Sequence, residues 1–380
     1  MATITGAAAD DILIGTAAAD VIYGLAGDDT LLGYAGDDTL VGGAGADALF
    51  GGDGVDVASY ASASVGVTIN LATGAHTGDA AGDTFDGIEI IQGSNLNDLF
   101  VANAAANRLD GSGGWTDTIS YEASSSAVNV NLTTNAVSGG DAQGDTISSF
   151  EKVIGSAYGD VLASSSPGHI LQGGAGDDLY LVSGPVISII EAADEGEDSV
   201  VADVSSFRLA ANVETLMYVG TSTFTGYGNA LANIIIGGVL GDSLFGLEGD
   251  DTLLGGDGND TLNGGSGSDN LVGAGGDDTL YFYGDGQGRG GEGGDLYYIA
   301  SLYSVSIWEA DDAATDVVRF ASFWSVSDIR VAWDGDDLLI ASITDTDFNS
   351  AVRLVDYGDD RYIETFEFAD GTAFDPLGLV

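Results

Sequence analysis

The chain has 380 residues, of which 60 are acidic against eight lysines and arginines, giving a formal net charge of −52. With no basic patch to displace counter-ions, nucleic-acid binding is excluded, and anionic membranes should repel the protein. Self-repulsion at this density opposes compaction, and a chain without cysteine has no disulfide to resist it. The length allows several domains, although repeat architectures often run as one continuous body.

From Gly6, Gly15, Gly24, Gly33, Gly42 and Gly51 the chain places an aspartate five residues after each glycine: Asp11, Asp20, Asp29, Asp38, Asp47 and Asp56. Two residues beyond each stands an apolar side chain, Leu13, Ile22, Leu31, Leu40 and Leu49, with Ala58 closing the run. Strand side chains alternate between faces, so segments such as Thr30-Leu31-Leu32 read as short strands with one residue inward. The six residues before each strand read as a turn whose glycines allow tight reversal at positive φ. Ala9 and Ala18 stand where later units have Gly27 and Gly36. Alanine is costly at positive φ, so the first two turns read as weaker sites or a terminal coil.

Residues 1–60 thus form a first array, and residues 61–182 read as two duplicated β modules, each ending in an array-like turn. Tyr60 to about Asp117 aligns with Tyr121 to about Asp178; Val67-Thr-Ile-Asn-Leu71 matches Val128-Asn-Val-Asn-Leu132, and Gly82-Asp83-Thr84 matches Gly144-Asp145-Thr146. Isolated turns run from Gly93 to Asp98, Gly155 to Asp160, Gly173 to Asp178 and Gly290 to Asp295, while Asn107 and Asn233 replace the aspartate in matching frames. Residues 183–227 form a β-rich connecting module. Its strand pattern, Leu179-Tyr-Leu-Val182, Val186 to Glu191 and Asp198 to Val201, returns as Leu296-Tyr-Tyr-Ile299, Val305 to Glu309 and Asp316 to Val318. A second array spans 228–298, with Asp242, Asp251, Asp260, Asp269 and Asp278 in register. Residues 299–380 are richer in aromatics, with Phe323, Trp324, Trp333, Tyr357, Tyr362, Phe366 and Phe368, and read as a C-terminal β cap with an export signal from about 320.

Gly and Asp are ordinary turn formers, but unrelated turns would not demand the aspartate in one place eleven times across two arrays. The nonapeptide G-G-x-G-x-D-x-U-x is the pattern of calcium-binding parallel β-helices. The chain resembles the RTX, or haemolysin-type calcium-binding, family. The resemblance implies an all-β fold of calcium-bound parallel β-roll or β-solenoid arrays joined by irregular β modules, holding several Ca2+ ions. It also implies two nonapeptides per coil, so that turns eighteen residues apart share an ion. Asp11 then pairs with Asp29, Asp20 with Asp38, Asp29 with Asp47, Asp38 with Asp56, Asp242 with Asp260, Asp251 with Asp269, and Asp260 with Asp278. Because calcium takes six to eight oxygens, the carbonyls of Gly24, Gly27, Gly33, Gly36, Gly246, Gly249, Gly255 and Gly258 are expected beside these aspartates. Asp98, Asp160, Asp178 and Asp295 complete the expected metal ligands.

No signal peptide or apolar run long enough for a membrane helix appears. RTX relatives leave through type I secretion machinery, and the ending Phe374-Asp-Pro-Leu-Gly-Leu-Val380 resembles such export signals. No G-x-S-x-G elbow and no H-E-x-x-H motif occurs. His76 and His169 read as surface residues, and Trp115, Trp308, Trp324 and Trp333 as buried cap residues more readily than as sugar platforms. With no apolar head and only Lys152, a pore-forming toxin is discounted. The reading is therefore a secreted, non-enzymatic structural protein that self-assembles into a surface layer, filament or matrix. Its alternatives are a polysaccharide-acting enzyme on a solenoid groove, with a carboxylate pair as its machinery, and an exoprotein that binds carbohydrate or a host surface.

Overall fold

The computed structural model describes residues 1–300, 303–309, 314–321, 324–357 and 363–379; Phe323, Tyr362 and Val380 lie outside them. Regular structure among the described residues is strand throughout, apart from four short 3-10 turns. The strands wind as parallel β-solenoid in two compact units, Met1–Gly196 and Glu197–Val380, and the boundary falls within the 183–227 segment.

In the first unit each coil carries two strands, one per nonapeptide, and each strand pairs in parallel with the corresponding strand of the next coil. Thr3 lies beside Val21, Val21 beside Thr39 and Thr39 beside Val57 on one face; Ile12 lies beside Thr30 and Thr30 beside Ala48 on the other. The inward residues stack into one buried column of Ile22, Leu31, Leu40, Leu49 and Ala58, with Ile4, Leu13, Phe85 and Ile88 packed against it. Each fully buried Leu or Ile contributes on the order of 2 kcal/mol, so the column supplies the hydrophobic half of the fold.

The strands are longer than the sequence suggests. Thr30–Ala35 and Thr252–Asp257 run on through the first residues of the turn. Alternation therefore continues past Leu31, and the next inward position is Gly33, which is buried. Val186, expected to start a strand, has φ 59, and the strand there is Ser188–Ile190.

Longer excursions interrupt the coils without shifting the register. Ala48 pairs with Thr84 and Val57 with Ile90. The two modules share their anchors: the Tyr60 and Tyr121 hydroxyls donate to the Asp83 and Asp145 carboxylates, and 3-10 turns at Gly78–Ala80 and Gly140–Ala142 bury Ala80 and Ala142.

In the second unit Ser243–Glu248, Thr261–Ser266, Thr279–Phe282, Leu296–Ile299, Val317–Phe320 and Thr365–Phe368 follow one another in parallel. The opposite face ends differently. Ala351–Leu354 pairs in parallel with Val305–Trp308, then takes Asp337–Ser342 and Ile329–Asp334 in antiparallel order. An aromatic cluster of Phe320, Phe366, Phe368, Phe374 and Tyr357 fills this end.

Candidate metal centres

Every aspartate pair expected to share a turn edge is joined by a hydrogen bond. The backbone N–H of the earlier residue donates to Oδ1 of the later one, from Asp11 to Asp29, Asp20 to Asp38, Asp29 to Asp47, Asp38 to Asp56, Asp242 to Asp260, Asp251 to Asp269 and Asp260 to Asp278, at 2.7 to 3.1 Å. One carboxylate oxygen thus closes each coil onto its neighbour. Asp160, Asp178, Asp278 and Asp295 extend the same ladder, through bonds from Asp160 to Asp178 and from Asp278 to Asp295. Asp98 accepts from Val67 N–H and donates to Asp117.

The second oxygen divides the turns into two classes. In one class Oδ2 accepts a backbone N–H from the residue after the first glycine: Ala7 to Asp11, Thr16 to Asp20, Ser94 to Asp98, Ser156 to Asp160 and Gly238 to Asp242. In the other class, Oδ2 of Asp29, Asp38, Asp47, Asp56, Asp251, Asp260, Asp278 and Asp295 is buried with no hydrogen-bond partner. All eight turns of the second class carry a glycine at the fourth position of the hexapeptide, and none of the five in the first class does.

That fourth glycine is needed twice over. Gly36 has φ +114, outside the range of side-chain-bearing residues, and a Cβ there would lie 2.5 Å from Ala19 N and 2.6 Å from Ala18 C of the preceding coil. The first-position glycine serves a different need from the one expected. Gly24 and Gly33 lack positive φ; their inward face is already occupied by the Asp29 or Asp38 carboxylate and by the Gly42 or Gly51 carbonyl oxygen, the latter 2.5 Å from where a Cβ would sit. The correction is physical: the glycine is there for space, not for reversal.

The expected carbonyl ligands fall in two places. Those of Gly24, Gly33, Gly246 and Gly255 face the first-position glycine of the preceding coil, Gly6, Gly15, Gly228 and Gly237, beside that coil's aspartate or asparagine. Those of Gly27, Gly36, Gly249 and Gly258 face the fourth glycine of the next coil, Gly45, Gly54, Gly267 and Gly276.

Burial raises carboxyls in both classes of turn, Asp160 of the first included, while Asp20 moves the other way. Backbone N–H from Ala2 and the Thr16 hydroxyl hold the Asp20 carboxyl below its ordinary range. Burial pushes Asp38 up, Asp47 and Asp278 up to about 6, Asp251 and Asp260 up to about 7, and Asp295 up to about 8. A buried anionic oxygen without a donor costs several kcal/mol unless a proton or cation neutralises it. Orphaned carboxylate oxygens beside backbone carbonyls are the donor set of a hard, oxygen-seeking cation, so these residues fit calcium. Asp269 has the fourth glycine, Gly267, and burial raises its carboxyl.

Several ladder members escaped the sequence reading. Asp83, Asp117, Asp145 and Asp316 accept from Asp47, Asp98, Asn107 and Asp295 N–H. Where the period breaks, glutamates take over, Glu89 accepting from Asp56, Glu151 from Asp117, Glu214 from Asp198 and Glu364 from Asp316. Repetition of Gly-Asp-Thr at 82–84 and 144–146 was the available signal for two of the aspartates; the glutamates have none, because they stand outside the nine-residue frame. Asn233 keeps the ladder bond to Asp251 but receives Asn229 N–H on Oδ1.

The other singled-out residues lie elsewhere. His76 and His169 are half-buried rather than surface groups: His76 Nδ1 accepts Asn70 N–H, His169 Nδ1 bonds the Ser164 hydroxyl, and burial lowers both imidazoles. Trp115 is 92% exposed and Trp333 40% exposed, so neither is a buried cap residue. Among the described residues no helix is long and apolar enough to cross a membrane.

No curated protein matches the chain. The family model of the RTX calcium-binding nonapeptide repeat (4 copies) matches residues 5–40, 23–58, 83–115, 227–262 and 245–280. Such repeats bind calcium, their number here implies multiple ions, and proteins that carry them are typically secreted. The matched segments contain seven of the eight orphaned carboxylates, all but Asp295. The two glycine–aspartate arrays of this chain are RTX calcium-binding nonapeptide repeats.

Proposed function

We propose that the chain is an extracellular structural protein that calcium folds and that then assembles with copies of itself into a layer, filament or matrix. The observation that carries the calcium half is the file of buried, partnerless Oδ2 atoms at Asp29, Asp38, Asp47 and Asp56 and at Asp251, Asp260 and Asp278. Each marks a site for a cation held by that aspartate and by first-position carbonyls of the stacked turns, and binding free energy there is folding free energy. The net charge of −52 makes the same demand of the chain as a whole. Type I secretion machinery is the export partner of this reading, and a cell-surface polysaccharide is the surface to which the assembly attaches.

The assembly half is supported by the strands Thr3–Thr5 and Ile12–Ile14. Each pairs on one side only among the described residues, and Ile12 and Ile14 are 72% and 55% exposed. An open strand edge with apolar side chains is a template for another chain. Circular dichroism and light scattering in one calcium titration test both halves. Disorder in chelator, β signal at about millimolar calcium and scattering that rises with the β signal are expected. A β spectrum unchanged in excess chelator removes the calcium reading; a folded protein that stays monomeric at high concentration removes the assembly.

A further inference from the structure

The stack of first-position glycines stops at Gly290. In the coils before it one glycine lies on the next, as Gly290 lies beside Gly273, following the register of Ala274 with Gly291. The strands Asp285–Glu292 and Val305–Trp308 pair with Arg289 beside Trp308, so the residue stacked on Gly290 is Glu309. A glutamate carboxylate thus takes the place of a glycine in the column.

Glu309 is held in a fixed orientation. Its Oε1 accepts Gly291 N–H at 3.2 Å, and its Oε2 accepts from the Tyr297 hydroxyl, which itself accepts Gly290 N–H at 2.6 Å. Tyr297 is fully buried. The same device recurs at the end of the first unit, where the Tyr180 hydroxyl donates to Glu191 after an identical Asp-Leu-Tyr run.

One carboxylate oxygen from each of Asp295, Glu309 and Asp316 lies within 4.8 Å of the others. Independently, Asp295 is 1% exposed and its Oδ2 has no hydrogen-bond partner. Its Oδ1 is already engaged by Asp278 N–H, which leaves Oδ2 as the oxygen free to face a cation. A carboxylate oxygen has two lone pairs, so accepting a hydrogen bond is compatible with facing a cation.

We propose that Asp295, Glu309 and Asp316 form a three-carboxylate site for a calcium-class cation, distinct in composition from the carbonyl-rich turns of the arrays. Its three ligands come from the turn before Leu296–Ile299, the end of Val305–Trp308 and the start of Val317–Phe320. The cation ties the last glycine-rich coil to the aromatic end of the unit. Flexible oxygen coordination and a charge of −3 suit calcium or a lanthanide better than magnesium, which keeps most of its waters. The proposal uses the calcium reading of the arrays only to choose the probe.

The test uses the full chain with calcium alone and with terbium alone. Glu309→Gln keeps the size and removes the charge; the expected result is one fewer calcium equivalent by titration calorimetry, with calcium-induced β signal retained. Terbium emission excited through tryptophan should contain a component sensitised by the adjacent Trp308. That component should vanish in Glu309→Gln and in Trp308→Phe, while Trp308→Phe keeps the full calcium stoichiometry. Tyr297→Phe, which frees Glu309 to turn, should weaken the same equivalent by roughly 10- to 100-fold. An unchanged calcium count in folded Glu309→Gln overturns the site and assigns the cluster to a shared proton. Should Glu309→Gln not fold, tryptophan-sensitised emission undiminished by Trp308→Phe overturns it instead. Neither result touches the arrays, whose own failure is absence of calcium-induced folding in the unaltered chain.

Discussion

The turn that ends in Asp38 and the turn that ends in Asp160 make the same backbone bond with Oδ1 and treat Oδ2 in opposite ways. Asp160 sits in Gly155-Ser-Ala-Tyr-Gly-Asp160, whose Ser156 folds its N–H and hydroxyl onto the carboxylate. Asp38 sits in Gly33-Tyr-Ala-Gly-Asp-Asp38, where Tyr34 at φ 76 and Gly36 at φ 114 turn the backbone donors away. The comparison separates two jobs that one residue performs. Accepting the neighbouring coil's N–H is architecture and is done in both turns; leaving an oxygen bare is a demand for a cation and is made in only one.

The largest effect that breaks or sustains this comparison is calcium removal followed by hydrogen exchange. Amides of Val21–Ala26 through Ala48–Asp53 and of Ser243–Glu248 through Thr279–Phe282 should lose protection in chelator, while those of Thr118–Ser120 through Ile170–Gln172 keep most of theirs. Uniform loss along the chain would mean that the two classes of turn are one.

Paired substitutions act on a smaller scale. Asp38→Asn retains the Oδ1 acceptor and loses the charge, so it should move the calcium midpoint of folding upward and leave the calcium-saturated protein folded. Asp160→Asn sets an amide against Ser156 N–H; its expected cost is about 1 to 3 kcal/mol of stability at every calcium concentration, without a shifted calcium count. Urea unfolding at several calcium levels separates the two, and a matching calcium shift in both variants would erase the distinction.

The smallest effect is on pH. In the calcium-free protein the array carboxyls are raised by burial, to about 6 for Asp47 and Asp278 and about 7 for Asp251 and Asp260. A carboxyl raised in the folded state contributes stability that is fully present below its unfolded value near 3.9 and is lost as pH rises through the folded value. The chelated arrays should therefore gain β signal between about pH 7 and pH 4. Asp20, lowered by Ala2 and Thr16, contributes in the opposite sense. With calcium present the protons compete for the same oxygens and acid should weaken binding, so circular dichroism against pH, with and without calcium, should give slopes of opposite sign.

What the sequence made legible was whatever repeats. The nine-residue period identified the inward column from Ile22 to Ala58, which depends only on spacing, while the aspartate pairs came from the resemblance to RTX repeats, which supplies two nonapeptides per coil. It misjudged the role of Gly24 and Gly33, since a glycine required by a neighbouring carbonyl looks the same in sequence as one required by a turn. Glu89, Glu151, Glu214 and Glu364 were invisible because a long excursion or a shortened coil moves the acceptor off the frame, and only the coil stacking brings it back. Glu309 closes the Val305 to Glu309 strand pattern in the sequence, but that it replaces a glycine is a matter of register, visible only once Arg289 and Trp308 lie side by side.

The aspartate ladder also has a direction. At each rung the donor is the earlier residue and the carboxylate the later one, as from Asp20 to Asp38 and then from Asp38 to Asp56. A coil already in place therefore presents an acceptor to the coil on its N-terminal side, and carries an unsatisfied donor until the coil on its C-terminal side arrives. The backbone bonds beside the ladder run the other way, from Thr39 N–H to the Asp20 carbonyl and from Val57 N–H to the Asp38 carbonyl, so each open end of the stack offers both a donor and an acceptor. The solenoid can therefore template its next coil at either end.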